Sequence, residues 1–141
     1  MEEINKEIAQ FISENTVATL ACVDNQSPYC FNCYYAFLPD EGLLVYKSAF
    51  RTQHDAILEK NKQIAGSIVP NEINLAALSG VQFEGILLES RIDLTMRLSI
   101  PYYTRFPFAI ALFGNICVIQ MNKIKFTDFT KGVGYNLQWS R

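Results

Sequence analysis

A segment near the middle of the chain, "YKSAFRTQHDAILEKN" at residues 46–61, combines an arginine, two hydroxyl side chains and the only histidine of the sequence. Thr52 followed three residues later by Asp55 has the spacing of a helix N-terminal capping box. The first backbone amides of such a helix have no partners within it and form its positive end. Together with Arg51 and the hydroxyls of Ser48 and Thr52, they predict an anion site that a phosphate would fit.

The same corner also has a purely structural interpretation. Thr52 can cap its own helix, Arg51 can be solvated, and His54 can lie exposed on the first helical turn. The carboxylate of Asp55 would also lie near the same amides, where it would oppose a bound anion. The local sequence leaves both interpretations open and names no ligand.

Other short motifs do not build a recognisable reaction centre. "CFNC" places Cys30 and Cys33 three apart, and side chains at that spacing in a strand point to opposite faces, which argues against a shared metal ion or a disulfide. "KGVGYN" lacks the strand–turn–helix context of a dinucleotide-binding fingerprint and predicts a turn. With one histidine in the chain, the sequence supports neither a structural zinc site nor a hydrolase triad around His54.

Periodicity predicts a mainly β domain with flanking helices. Apolar residues at i, i+4, i+7 and i+8 from Ile4 predict a helix over about residues 2–14. A second helix follows the corner near residues 53–61, and a third occupies "DLTMRLSIPYYTRF", where Pro101 should kink or end it. Short turns separate most of the β-branched and aromatic runs, which favours an antiparallel barrel over a doubly wound sheet. These runs are "TVATLACV", "PYCFNCYYAFL", "LLVYKS", "QIAGSIV", "VQFEGILLESR", "NICVIQMNKIKFTD" and "GVGYNLQWS".

Composition predicts a single apolar-rich domain over residues 1–141. Hydrophobic residues make up 50% and charged residues 18% of the chain, a balance that favours a substantial core and permits a buried subunit contact. The formal net charge is -2 without any basic run, which argues against nucleic acid as a partner. The acidic start "MEEINKEIAQF" and the lack of an apolar stretch of about 20 residues predict a cytoplasmic protein with no membrane partner.

Several segments together resemble the FMN-binding split-barrel family, which has the fold of pyridoxamine 5'-phosphate oxidase and its relatives. They are the opening helix, the three-strand meander, "SAFRTQH", "GVQFEG" and the tail from "IKFTD" to "QWSR", and they cover nearly the whole chain. "GVQFEG", "RFP" and "IKFTD" look like an uncharacterised bacterial branch. The resemblance implies a six-stranded antiparallel split β-barrel in a homodimer, with one FMN in each of two clefts at the subunit interface.

The resemblance also implies cofactor-binding roles for particular residues. The flavin phosphate would be held by Ser48, Arg51 and Thr52, with His54 at the same end. The remaining assignments are Asn32, Tyr46 and Lys47 on the strands beside the isoalloxazine ring, Gln82 near the ribityl chain or phosphate, and Trp139 and Arg141 reaching across to the partner's flavin.

The function expected from the resemblance is that of an FMN-dependent oxidoreductase acting on a small molecule, with NAD(P)H as a candidate electron donor. The flavin would carry the chemistry, which agrees with the lack of an acid–base constellation in the sequence. The tail "GYNLQWSR" has no histidine of the kind that pyridoxamine phosphate oxidase places near its chain end, so that activity is expected to be absent. The alternatives are a non-catalytic protein that binds flavin, haem or deazaflavin, and a structural dimer without a ligand.

Overall fold

The computed structural model describes residues 1–141 and contains three helices and seven strands. The helices are α1 (Lys6–Glu14), α2 (Gln53–Lys60) and α3 (Ile92–Arg105), with short 3-10 turns at Pro107–Ala111 and Phe129–Lys131. The strands are β1 (Val17–Asp24), β2 (Ser27–Leu38), β3 (Leu43–Ser48), β4 (Gln63–Ile68), β5 (Ser79–Leu87), β6 (Asn115–Asp128) and β7 (Asn136–Ser140). This is the predicted mainly β chain with flanking helices. None of the helices is both long and apolar enough to cross a membrane.

All strands join one antiparallel sheet in the order β3-β2-β1-β4-β5-β6-β7. One edge of β6 pairs with β5, while its other edge pairs first with β3 and then with β7. The pairing of β3 with β6 closes the first six strands into a barrel, and β7 extends the sheet beyond that ring. The sheet therefore has seven strands rather than the six that the resemblance implied, because the second half of β6 leaves an edge free for β7.

The barrel encloses one apolar core and carries a second core on its outer face. Inside, α1 covers the barrel with Ile8, which packs in the same cluster as Leu44 of β3. Outside, Leu98 of α3 packs in a cluster with Val45 of β3. Both faces of β3 are therefore buried, one inside the barrel and the other beneath α3.

Local capping signals set where the first two helices begin. Asn5 caps α1 by accepting a hydrogen bond from the amide of Glu7 at 2.8 Å, so α1 begins later than the predicted residue 2. The hydroxyl of Thr52 accepts a hydrogen bond from the amide of Asp55 at 3.3 Å. This bond confirms the predicted cap and the predicted start of α2 at Gln53.

The third helix continues through Pro101 to Arg105, so of the two predicted effects of this proline, a kink or an end, the end does not occur. Leu98 and Tyr102 flank the proline and are 0% and 4% exposed, and Phe106, just beyond the helix, is 7% exposed. Burying each such side chain stabilises the fold by about 1.5 to 3 kcal/mol, whereas an interior proline costs about 3 kcal/mol. Packing on both sides of the proline therefore outweighs its cost.

Candidate functional site

The strand-to-helix corner, residues 48–55, is organised around the hydroxyl of Ser48, the last residue of β3. Ser48 is 2% exposed, and its Oγ donates a hydrogen bond to Oδ1 of Asp55 at 2.8 Å. Nε2 of His54 lies 2.9 Å from the same Oγ. Because the hydroxyl proton is directed at Asp55, Nε2 of His54 is the donor in the second bond and carries the ring proton. Ser48 is thus satisfied from within the chain, and a phosphate would have to displace one of these bonds to reach it.

His54 is held by the barrel rather than lying exposed on the first helical turn. Its ring stacks on Phe31 of β2, with centroids 3.7 Å apart and planes inclined by 4°. Burial lowers the pKa of His54 below its ordinary value of 6.5, and the carboxylate of Asp55 partly opposes this shift. The folded chain therefore favours the neutral ring.

Ser48, His54 and Asp55 are the residue types of a hydrolase triad, but their order in space differs. In a triad the histidine lies between the nucleophile and the carboxylate. Here Ser48 lies between the other two and is buried. Its hydroxyl is not presented to a substrate, so the corner supports no hydrolytic role.

Arg51 is the charged side chain of the corner that remains available to a ligand. It is exposed and has a φ of 58°, in the left-handed region that non-glycine residues seldom adopt. Its guanidinium makes no hydrogen bond or ion pair within the chain. The amides of Gln53 and His54 begin α2 and have no acceptor within the helix. An anion approaching the corner would therefore meet a free cation beside a positive helix end.

Tyr46 lies inside the barrel, two residues before Ser48. It is 0% exposed, and its hydroxyl has no hydrogen-bond partner. It pairs across the sheet with Cys117, whose pKa burial raises to about 11. Burial likewise raises the pKa of Tyr46. Tyr46, which the resemblance places beside the flavin ring, is thus a fully buried core residue in the single chain.

Lys47 anchors the 3-10 turn Pro107–Ala111 to β3. Its Nζ donates to the hydroxyl of Tyr103 at 2.8 Å and to the main-chain carbonyls of Ala109 at 2.8 Å and Leu112 at 2.6 Å. An ammonium group has three hydrogen atoms to donate, so all of its donors are used. Lys47, which the resemblance places beside the flavin ring, therefore positions its neighbours and has all three donors engaged within the chain.

Trp139 and Arg141 lie at the opposite end of β3 from the corner, beside Gly42. Arg141 donates three hydrogen bonds to main-chain carbonyls at 2.8 to 2.9 Å, and Nε1 of Trp139 donates to the carbonyl of Glu2 at 2.9 Å. Gly42 has a φ of 61°, and a Cβ there would lie 2.5 Å from Nη2 of Arg141. At about 3.3 Å per strand residue, Ser48 is about 20 Å away. Within one chain, Arg141 and Arg51 thus cannot bind the same phosphate.

Asn32 lies on the outer face of the sheet, close to the corner. Its Oδ1 accepts a hydrogen bond from the hydroxyl of Thr19 at 2.8 Å, which leaves its amide hydrogens free. The β2–β3 register pairs Tyr35 with Tyr46, and extending it brings Asn32 level with Ala49. Asn32 is therefore one strand spacing, about 5 Å, from the start of the corner loop.

Gln82 shares the outer face with Asn32 but lies farther from the corner. The register pairs Asn32 with Thr19, Thr19 with Ser67 and Ser67 with Gln82. Three strand spacings amount to about 14 Å. Gln82 lines a cavity of about 550 Å³ on this face. Within one chain it is not adjacent to a phosphate held by Arg51.

An exposed aromatic pair near the corner was not singled out from the sequence. Tyr34 is 48% and Phe108 is 57% exposed, and their ring centroids lie 5.9 Å apart. Extending the β2–β3 register places Tyr34 level with Lys47, which holds the turn that carries Phe108. Alternation along β2 from Asn32 identifies Tyr34 as outward-facing, whereas Phe108 follows a proline in a 3-10 turn and has no periodic signal.

The two motifs set aside on sequence grounds lie as predicted. Cys30 is exposed, whereas Cys33 packs against the interior core, so the two thiols are on opposite faces of β2. Gly132 and Gly134 have φ values of 122° and 82° in the turn between β6 and β7. Neither motif contributes to the corner.

Three solved structures share the fold of this chain at low sequence identity. A heme binding protein from Mycobacterium smegmatis superposes with a TM-score of 0.80 and 16% identity over 96% of this chain, which spans 57% of that protein. An FAD-binding protein from Mesorhizobium loti gives a TM-score of 0.72 and 14% identity over 89% of this chain and 95% of its own. A protein of the pyridoxinephosphate oxidase family from Clostridium acetobutylicum gives a TM-score of 0.65 and 12% identity over 95% of this chain and 92% of its own. These similarities establish the split-barrel fold of flavin-binding and haem-binding proteins.

Sequence comparison gives a closer relationship. No model of a known protein family matches the chain. The UPF0306 protein of Photorhabdus laumondii, however, is 33% identical over 136 residues, which cover 95% of this chain and 94% of the relative. A similarity of this extent over nearly the full length of both proteins shows that the chain belongs to the UPF0306 family.

Proposed function

We propose that this protein binds FMN in a cleft between two copies of the chain and acts as an FMN-dependent oxidoreductase on a small molecule. The observation that carries the proposal is the unpaired, exposed guanidinium of Arg51 beside the open N-terminus of α2. A terminal phosphate matches this pair of features, because it accepts hydrogen bonds from guanidinium and from helix amides alike. Solved structures of the same fold include a flavin-binding protein, which supports the choice of ligand.

The residues of the corner divide into ligand contacts and supports. Arg51 and the amides of Gln53 and His54 would bind the phosphate. Thr52 caps α2, and Ser48 holds the end of β3 against the first turn of α2 through its hydrogen bond to Asp55. His54 would contribute its backbone amide while its ring stays neutral and stacked.

The isoalloxazine ring would lie along the outer face next to the corner. Asn32 offers free amide hydrogens there, and Tyr34 and Phe108 offer half-exposed aromatic surface. When bound, FMN supplies hydride transfer at its ring, and the protein supplies binding and orientation. This placement differs from the one that the resemblance implies, because Tyr46 is buried in the core and the donors of Lys47 are used within the chain.

A second copy of the chain would complete the cleft. Val17, Tyr34 and Val69 are 41%, 48% and 48% exposed and line one depression, which provides apolar surface for a subunit contact. Trp139 and Arg141 lie too far from the corner to serve the phosphate of their own chain. They would instead approach the partner's flavin, as the resemblance implies.

A non-catalytic haem carrier is the second candidate, because a heme binding protein shares the fold. The only histidine is poorly placed to ligate iron, however, since Nε2 of His54 donates to Ser48 and its ring is stacked on Phe31. Haem also lacks a phosphate that would use Arg51. The corner therefore fits a mononucleotide better than haem.

The experiment that tests the proposal starts from protein purified without added cofactor. We expect a yellow protein that elutes as a dimer on size exclusion with light scattering, and that releases FMN on heating. Mixing with NADPH or NADH under anaerobic conditions should bleach the flavin. A haem spectrum, or failure to bind FMN on reconstitution, would contradict the proposed ligand. If the protein binds FMN but neither NAD(P)H nor a panel of other donors reduces it, the oxidoreductase activity is contradicted and the protein is a flavin carrier. Formation of pyridoxal phosphate would contradict the expected lack of that activity.

A further inference from the structure

The outer face of the sheet contains a depression where two neighbouring strands carry short side chains. Thr19 and Ala21 of β1 pair in register with Ser67 and Ala65 of β4. Alanine is depleted in strands, and exposed sheet faces usually carry β-branched or aromatic residues. Two alanines paired on an outer face thus add little to sheet stability. They lower the floor of this face relative to its surroundings.

Longer polar side chains form one wall of the depression. Gln82, Lys125 and Gln138 stand in one cross-strand row that continues from Ser67. Together with the floor they line the cavity of about 550 Å³. That volume lies within the range of roughly 300 to 1,000 Å³ that is typical of small-molecule sites.

The wall has a free positive charge. Lys123 forms an ion pair with Glu84 at 3.5 Å, whereas Lys125, two residues along the same face of β6, has no ion pair. The side chains of Ser67 and Gln82 also make no hydrogen bond within the chain. Charge and hydrogen-bonding capacity are therefore both available above an apolar floor.

We infer that this cleft is a second ligand site, specific for a small organic carboxylate. The carboxylate would bind the ammonium group of Lys125, and Ser67 and Gln82 would orient it. Its apolar body would cover Ala21 and Ala65. Gln82 is about 14 Å from Asn32 across three strand spacings, so the Lys125 end of this site is separate from the phosphate corner and does not rest on flavin binding. Its other end, at Thr19 and Ser67, borders the depression proposed for the subunit contact.

The test uses full-length protein and a matched pair of probes, benzoate and its uncharged analogue benzamide, followed by amide chemical shifts. Benzoate should move the amide signals of Ser67, Gln82 and Lys125 and leave that of Arg51 in place. Benzamide should bind about fivefold more weakly, as expected for an exposed charge pair of about 1 kcal/mol. Equal affinities for the two probes, or no shifts in this row, would overturn the inference.

Two variants and a control separate the site from nonspecific binding. Lys125→Gln should remove the preference for benzoate over benzamide, whereas Lys6→Gln, which also removes an exposed charge, should retain it. Ala65→Tyr should abolish binding of both probes while the protein stays folded, because tyrosine favours an exposed strand position. Undiminished benzoate binding by folded Ala65→Tyr protein would place the ligand elsewhere and contradict the inference.

Discussion

The region around the strand-to-helix corner and the outer sheet face both carry a serine and a lysine, but these side chains are hydrogen-bonded in the first region and free in the second. Ser48 of the corner and Lys47, the residue just before it, are bonded within the chain. On the sheet face, Ser67 and Lys125 have no partners. Residue type thus indicates what a group can bind, but its neighbours in space decide whether it is available. At the corner, the guanidinium of Arg51 and the first amides of α2 remain free for a ligand.

Replacing Lys47 and replacing Lys125 should give the largest difference in the free energy of unfolding. Lys47→Met removes three hydrogen bonds, two of them partly buried, and should lower the free energy of unfolding by about 2 kcal/mol. Lys125→Met should change it by less than about 0.5 kcal/mol, because that side chain is solvated. Urea denaturation monitored by circular dichroism measures both variants. Equal effects would show that Lys47 does not anchor the 3-10 turn.

Replacing Ser48 and replacing Ser67 should give a smaller difference in the free energy of unfolding. Ser48→Ala leaves Asp55 and His54 without their shared partner and should cost about 1 to 2 kcal/mol. Ser67→Ala should stay within about 0.5 kcal/mol of the unmodified protein. The same urea titrations provide the measurement. A neutral Ser48→Ala would mean that the hydroxyl is free and available to a phosphate after all.

The pH dependence of stability gives the smallest expected effect. Burial lowers the pKa of His54 in the folded chain, so the unfolded chain binds the proton more readily. Stability should therefore fall as the pH drops through 6.5, the ordinary value, and His54→Gln should flatten this part of the profile. As the only histidine, His54 gives a single imidazole signal whose NMR titration reports its pKa directly. A midpoint at or above 6.5 would contradict the buried, neutral ring.

The fold could be predicted from the sequence where the signals were local. The cap at Thr52 and the start of α2 depend on residues within one helical turn, and both were predicted correctly. For α3 the sequence left open whether Pro101 would kink or end the helix, because the packing of Leu98 and Tyr102 around Pro101 depends on the barrel beneath them. The sequence contains seven β-branched and aromatic runs, and the sheet has seven strands. The expectation of six strands came from the family resemblance.

The site was harder to predict because β3 shows no alternation of buried and exposed residues. Both of its faces are buried, so no exposed position shows that Tyr46 points inwards and Lys47 outwards. The partners of Lys47 lie beyond residue 100 in the sequence, where no spacing rule connects them to β3. The position of Gln82 relative to Asn32 likewise depends on strand order, which local sequence does not encode.

The central claim is that Arg51 binds the phosphate of FMN, and comparing FMN with riboflavin tests it most directly. A hydrogen bond to a charged group contributes about 1.5 to 3 kcal/mol, so Arg51→Ala should weaken FMN binding about ten- to a hundredfold. Affinity for riboflavin, which has the same ring but no phosphate, should not change. Lys60→Ala, which removes a cation from the other end of α2, should leave both affinities unaltered. Calorimetric titrations in which Arg51→Ala binds FMN as tightly as the unmodified protein, or loses FMN and riboflavin equally, would contradict the account.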